Sequence, residues 1–586
     1  MRLKPHRLVA VLLSVLISAA STTAESARPV RSPHAVVVSI RELASQTGVE
    51  VMKAGGNAVD AAVATGFALA VVHPQAGNLG GGGFMLIRSN DGKTHFIDYR
   101  EKAPAAATAN MYLDAHGNVM ENASVVGYKA ISVPGSVAGM VYAEKTYGKL
   151  TLRQVIAPAV KLARDGFQLT SQDARDLQKD KHLAEFPESR RIFQRDGNYY
   201  QPGELFRQPE LARTLERIAH DPDDFYHGAM ARELAAAIQK GGGLITPDDL
   251  AHYEVKEREP MRGTYRGYEV IGAPPPSSGG TALLEILNIL EGYDLAGAGN
   301  RSAEDVHLTI EAFRRAFFDR AEFMGDSDFS TIPVSQLIDK KYGAAWRASI
   351  DPLHSSLSKD LKRPAIFTEL QQYASQHPQP FAVHDSPNTT HYSVVDSDGN
   401  AVAVTTTLNA SFGSRATAEG LGFLLNDEMD DFASKPGVPN LYNLIQGPAN
   451  AIGPNKRPLS AMTPTIVLKD GKLFLVLGSP GGSRIITTVA NILMGVIDYG
   501  MNIQQAVDAP RFHHQWLPDV VNVEQSFSPE VVKSLKQMGH HVEKGVTVGG
   551  EWEADWSDGE CIAIDQKTKE RLGASDSRNP GKAVGY

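Results

Sequence analysis

Thr389 and His391 sit two residues apart at the head of TTHYSVVDSDGNAVAVTTTL (389–408), a stretch that reads as a β-hairpin. Alternation along a strand puts both on one face. A threonine hydroxyl is a weak nucleophile and needs an adjacent base. His391 is one candidate. The other is the α-amine of Thr389 itself, which exists only if the peptide bond between Asn388 and Thr389 is cut. A free α-amine titrates near about 7.7–8.0, which suits a general base at neutral pH, and it sits on the same residue as the hydroxyl. Spacing alone leaves these readings beside a plain one, a β-branched pair opening an ordinary strand.

Other stretches that invite chemistry give less. NLGGGGFMLI (78–87) lacks the Gly-Lys-Ser/Thr ending of a phosphate loop and leads into a strand, not a helix. GSPGGSR (478–484) has the wrong spacing for a nucleophile elbow. By composition alone DEMDD (427–431) is a solvated acidic turn. The adjacent pairs His513-His514 and His540-His541 point opposite ways on a strand and lack ligand spacing with carboxylates or cysteine, so no metal site is expected. The single cysteine, Cys561 in ECIAID, excludes an intrachain disulfide and reads as a small buried apolar residue.

Several elements must position these groups. Asn57 with Asp60 marks a helix start, and 58–71 (AVDAAVATGFALAV) is apolar all round, hence buried. YRGYEVIGA (265–273) reads as one strand, PPPSSGG (274–280) as a rigid turn and 281–290 as a helix. Ser302 with Asp305 has the spacing of a capping box, and Val306, Ile310, Phe313 and Phe317 then form a core stripe. Residues 352–388 lose all periodicity and read as an exposed connector. From 389 the pattern changes to hairpins at 392–408 and at 463–480, the latter turning at Asp470-Gly471, followed by a helix at 483–500.

The totals are those of a large globular protein: 586 residues, 42% hydrophobic. A net charge of −9 argues against nucleic acid as the partner. Arg2, Lys4 and Arg7, the apolar run 8–20 and small residues through Ala24 make residues 1–24 a cleavable secretory signal peptide, and so predict a periplasmic protein.

TTHYSVVDSDGNAVAVTTTLN, LLNDEMDDF, GPNKRPLSAMTPT, GSPGGSRI, APRFHHQWLP, HPQAGNLGGGGFM (73–85) and DYREKAP (98–104) together resemble the bacterial γ-glutamyltranspeptidases, over nearly the whole chain after the signal. The resemblance implies an α+β fold, the four-layer αββα sandwich of N-terminal-nucleophile hydrolases. It also implies self-cleavage between Asn388 and Thr389, giving a large subunit, 25–388, and a small catalytic one, 389–586, held together as a noncovalent heterodimer. The implied reaction moves the γ-glutamyl group of glutathione or related compounds onto Thr389, then to water or to the amine of an amino acid or peptide, without any cofactor, membrane or nucleic-acid partner.

Site roles follow from the same resemblance. Thr389 would be the nucleophile, Thr407 its hydroxyl partner, and Gly481 and Gly482 the oxyanion pair. Arg100 and Ser460 would bind the α-carboxylate; Asn409, Glu428 and Asp431 would bind the α-amino group. Tyr442, in the Pro436–Tyr442 loop, would cover the pocket as a lid. The family commonly carries two serines after Pro-Leu, whereas this chain has Ser460 followed by Ala461. One hydroxyl donor to the carboxylate is missing, which implies weaker glutamyl binding. Two rivals stand beside this reading. One is a cephalosporin (glutaryl) acylase on the same scaffold, disfavoured because an acid at Asp431 without a cationic partner would be costly. The other is a noncatalytic periplasmic binding relative.

Overall fold

A computed structural model describes residues 27–368, 370, 389–435, 438, 440, 444–548, 551–553 and 557–586. The expected signal peptide, Asn388 and Tyr442 lie outside the described residues.

The hairpin expected at 389–408 forms, with strands Thr389–Val395 and Ala401–Thr407 in register so that Thr389 faces Thr407. The Asp396 carboxylate closes its turn by accepting the N–H groups of Asp398 (3.0 Å) and Asn400 (2.9 Å). The same carboxylate accepts the Ala58 N–H (3.0 Å), which ties the turn to the start of the helix Ala58–Val72. That helix is buried along its whole length, as its apolar circumference requires. Asn57 and Asp60 cap it reciprocally, Asn57 accepting from Val59 and Asp60, and Asp60 from Asn57 (2.7 Å).

The hairpin occupies the middle of a seven-stranded antiparallel sheet. Its order is Lys582–Gly585, Val36–Ser39, Thr389–Val395, Ala401–Thr407, Gly82–Arg88, Thr94–Tyr99 and Lys256–Arg258. A second seven-stranded antiparallel sheet runs Val30–Ser32, Arg571–Ser575, Glu560–Ile564, Lys472–Leu477, Thr465–Lys469, Tyr268–Gly272 and Met261–Tyr265. Between them lies an apolar layer that includes Val36, Phe84, Phe96, Ile271, Val395, Ile466 and Val476. Helices Ala58–Val72, Ser136–Tyr147 and Leu152–Asp165 cover the outer face of the first sheet. Helices Gly279–Leu290, Ala303–Phe323 and Arg484–Ile497 cover the second. The result is the expected four-layer αββα sandwich, with Val306, Ile310, Phe313 and Phe317 in its core.

Two local expectations change. Residues 265–273 are not one strand. Arg266 (φ 48°) and Gly267 (φ 81°) make a two-residue hairpin turn between Met261–Tyr265 and Tyr268–Gly272. Ser302 accepts the Asp305 N–H, but Asp305 does not complete the box. Its carboxylate instead accepts Arg301 N–H (2.8 Å) and the Tyr499 hydroxyl (2.5 Å). The connector is largely exposed over its described part, yet Arg363 is anchored in the core by Asp319 (2.6 Å) and Glu322 (2.9 Å).

Glu144 gives a pH-dependent prediction. It is buried at the end of Ser136–Tyr147, and neither carboxyl oxygen meets a donor among the described residues. Burial first, then the Asp60 carboxylate, push its carboxyl up to about 9. Below the unfolded value, about 4.3, both states are protonated and there is no penalty. From there up to about 9 the folded state must hold a proton that the unfolded state releases, so stability falls as pH rises. Glu144→Gln is expected to melt higher than the parent at pH 8 and alike at pH 4; equal melting at both would contradict it.

Candidate active site

The site is built where the open end of the central hairpin meets three loops. Thr389 Oγ1 lies 3.3 Å from Thr407 Oγ1, a consequence of the register. Asn409 N–H donates to Thr407 Oγ1 (2.8 Å), occupying one lone pair of that hydroxyl. Asn409 stands just past the strand at φ 76°, a left-handed conformation that asparagine tolerates. Its amide donates to the backbone carbonyl (3.1 Å) and carboxylate (3.2 Å) of Asp427.

The glycine run earns its composition here. A Cβ on Gly81 would come within 2.0 Å of the Thr407 carbonyl, and one on Gly83 within 2.5 Å of the Thr405 carbonyl. Only glycine lets the strand Gly82–Arg88 approach the hairpin this closely. Asn78 locks the approach, donating to the Thr407 carbonyl (2.8 Å) and accepting from Gly81 N–H (3.0 Å).

Arg100 enters from the end of the strand Thr94–Tyr99 and is fully buried. Its guanidinium pairs with Glu428 and Asp431 in short contacts and with Glu101 at 3.3 Å. It also donates to the carbonyls of Pro458 (3.2 Å) and Leu459 (3.3 Å). Glu428 and Asp431 lie in the short helical turn Glu428–Asp431. Asn426 braces that turn by accepting from Glu428 N–H (3.0 Å) and donating to Gly80 and Ser132 carbonyls. Burial, opposed by Arg100, holds the Glu428 carboxyl well above the usual range, and burial pushes Glu101 up to about 7. DEMDD is therefore not a solvated turn: tertiary packing buries it against an arginine 328 residues away from Glu428.

Ser460 accepts the Met462 N–H (3.1 Å) at its hydroxyl, so its own proton is available to a further acceptor. Ala461 beside it is buried. Gly481 (φ 118°) and Gly482 (φ 57°) form the turn into the helix Arg484–Ile497. Among the described residues their N–H groups donate to no protein acceptor. Thr389, Thr407, Asn409, Arg100, Glu428, Asp431, Ser460, Ala461 and Gly482 line one cleft, together with Arg320, Leu444, Leu459, Met462 and Ile485.

His391 is not a base for Thr389. It is buried under the strand Lys472–Leu477 end, where its ring nitrogens meet Thr405 (2.9 Å) and Ser393 (3.1 Å). Burial lowers it to about 3, so it stays neutral at working pH. His513 and His514 are likewise buried and neutral, lowered to about 3 and 4. His540 approaches His307 and Glu311 in a buried cluster. Glu311 there is held by Arg314 and Arg315, two cations that repel a metal ion, and lies low at about 2. Cys561 is buried, its thiol raised to about 12. Sequence reading missed Asn78, Glu101, Asp427 and Arg320. The glycine run and the acid next to Arg100 were the signals that pointed to the first two.

The stacked sheets, outer helices and threonine-headed central strand define the fold of the N-terminal-nucleophile hydrolases. A cephalosporin acylase from Bacillus halodurans superposes with a TM-score of 0.81 at 26% identity, over 98% of this chain and 99% of that one. The γ-glutamyltranspeptidase family model matches residues 44–586, and the chain belongs to that family. It is 51% identical over 539 residues to a glutathione hydrolase proenzyme of Pseudomonas sp. (strain A14), covering 90% of each chain. A Helicobacter pylori γ-glutamyltranspeptidase structure matches at 44% identity and a TM-score of 0.55, over 56% of this chain and 95% of that one. No helix among the described residues is long and apolar enough to cross a membrane.

Proposed function

We propose that this protein is a γ-glutamyltransferase and glutathione hydrolase that makes its own nucleophile. The carrying observation is the Thr389–Thr407 hydroxyl pair at the head of the central strand, in the same cleft as the Arg100–Glu428–Asp431 cluster. In the precursor, Thr389 Oγ attacks the Asn388 carbonyl carbon and its C–N bond breaks, leaving an ester. The broken bond leaves the Thr389 amine free, and water then hydrolyses the ester to the Asn388 carboxylate and the Thr389 hydroxyl. The "proenzyme" in the relative's name, and a related enzyme chain spanned by 56% of this one, support such processing. The two pieces, 25–388 and 389–586, would stay joined because they interleave within one sheet. We read residues 1–24 as the signal that exports the precursor to the periplasm.

The processed enzyme then turns over in two halves. The Thr389 amine takes the hydroxyl proton as Oγ attacks the donor's γ-carbonyl. The Gly481 and Gly482 N–H groups stabilise the oxyanion, assisted by the helix N-terminus they precede. The proton passes to the leaving amine, giving a γ-glutamyl ester on Thr389. Water or an acceptor amine then attacks the ester. Arg100 and the Ser460 hydroxyl bind the α-carboxylate, while Glu428, Asp431 and Asn409 take the α-ammonium. A zwitterionic head exchanges like for like with the Arg100 pairs, so no buried charge is left uncompensated. Tyr442 would close over the bound head.

One argument against the acylase rival does not carry: Asp431 has a cationic partner in Arg100, so its retention costs little without a substrate amine. The preference for γ-glutamyl donors rests on the family and on the pairing of Arg100 with two acids. The test compares γ-glutamyl anilide with glutaryl anilide. Faster release from the glutaryl compound sinks the proposal, and release from neither would favour a binding protein.

A further inference from the structure

Arg320 is the second arginine of the cleft and comes from a different element, the end of the helix Ala303–Phe323. It is 3% exposed. Its Nε donates to Ser278 Oγ (2.8 Å), while Nη1 has no partner among the described residues. No carboxylate among the described residues forms an ion pair with it. Asp431 is the acid whose charge bears on it, and Asp431 is already engaged by Arg100. A buried guanidinium without a counterion is costly, and such a group is kept where an anion arrives.

Its attachment points to which anion. Ser278 Oγ, which accepts from Arg320, donates to the Ser460 carbonyl (2.7 Å), and Ser278 N–H donates to the same oxygen (2.8 Å). Arg320 is thus one residue away from the loop carrying Ser460 and Ala461. On that loop Ala461 presents a methyl group and no hydroxyl donor. We infer that Arg320 is a specificity-determining residue that supplies a second charged contact to the donor's α-carboxylate, in addition to Arg100. Resting on the γ-glutamyl reading, this makes the enzyme selective for donors whose α-carboxyl is free and ionised.

The test measures KM and kcat of the processed enzyme and of Arg320→Lys and Arg320→Met. The substrates are γ-glutamyl anilide and the same anilide with its α-carboxyl converted to the carboxamide. Gel analysis and melting temperature report processing and folding. Arg320→Lys is expected to raise KM for the acid by about 10- to 100-fold, with kcat within a few-fold and the carboxamide nearly unaffected. Arg320→Met should shrink the acid-over-carboxamide preference further than Arg320→Lys does, leaving only the part that Arg100 and Ser460 supply. Equal losses on both substrates, or variants that fail to process, mean a structural role and overturn the inference. No turnover of either substrate by the parent enzyme overturns the γ-glutamyl reading itself, and this inference with it.

Discussion

Thr389→Ala is expected to run as a single uncut chain on a denaturing gel, where the parent should give two bands, the smaller beginning Thr-Thr-His-Tyr-Ser. The substitution removes the hydroxyl proposed to attack the preceding carbonyl, and without the cut no free amine arises. Activity should fall by roughly 10⁴–10⁶-fold, the scale on which hydrolases lose rate when a nucleophile or its base is removed. Folding should be spared. Thr389 contributes one long hydroxyl contact to Thr407 (3.3 Å), whereas the strand's apolar residues Tyr392, Val394 and Val395 hold it in the core. A melting temperature near that of the parent would separate lost chemistry from lost structure. Thr389→Ser keeps the hydroxyl and should still yield two bands. Two bands from the alanine variant would mean that the chain is cut by something else.

Arg100→Met carries the second large effect, on stability and on binding together. Its guanidinium is the cation facing Glu101, Glu428 and Asp431 in a buried cluster. Removing one partner from a buried ion cluster costs about 3–5 kcal/mol. The loss has a sign in pH. Without the arginine Glu101 and Glu428, which burial already raises, have their folded-state values raised further, so they fold protonated. The penalty is absent below their unfolded values, about 4, and grows as pH rises. The variant should therefore melt closest to the parent near pH 4–5 and fall furthest behind at pH 8. On substrate, loss of two charge-assisted hydrogen bonds at about 1.5–3 kcal/mol each predicts a kcat/KM lower by roughly 10²–10⁴-fold. Arg100→Lys keeps the charge but not the planar fork, and should recover stability better than affinity. A KM unchanged in both variants would remove Arg100 from the binding site.

The two arginines divide the electrostatic work unequally. Arg100 is saturated by acids, so a substrate head can enter only by exchange of partners. Among the described residues Arg320 pairs with no acid and its Nη1 has no partner. A site holding one neutralised and one unneutralised cation favours a head group with one more negative charge than the protein itself supplies. That is why the acid-over-carboxamide comparison reads Arg320 more directly than it reads Arg100.

Much of this protein was legible in its sequence wherever the signal is local. Alternation gave the hairpin at 389, an apolar circumference gave the buried helix from Ala58, and Asp470-Gly471 gave the second hairpin turn. Nine of the residues that the motifs named line one cleft; Gly481 does not, and Tyr442 lies outside the described residues. Reading failed where a residue's neighbours come from far along the chain. DEMDD looked solvated because its composition says nothing about Arg100. His391 looked like a base because alternation gives a face but not what packs on it; Gly478 from the other sheet sits against its ring. Arg320 drew no reading at all, because nothing local marks a buried cation.

The sequence by itself determined the periods, caps and turns, and with them the strand that begins at Thr389. Short-range sterics and hydrogen bonding set those within a few residues. Only the tertiary structure decided the charges: which acids surround Arg100, which oxygen receives Arg320, and which histidines are sealed and neutral. Those depend on desolvation and on pairings across hundreds of residues, and no local pattern encodes either.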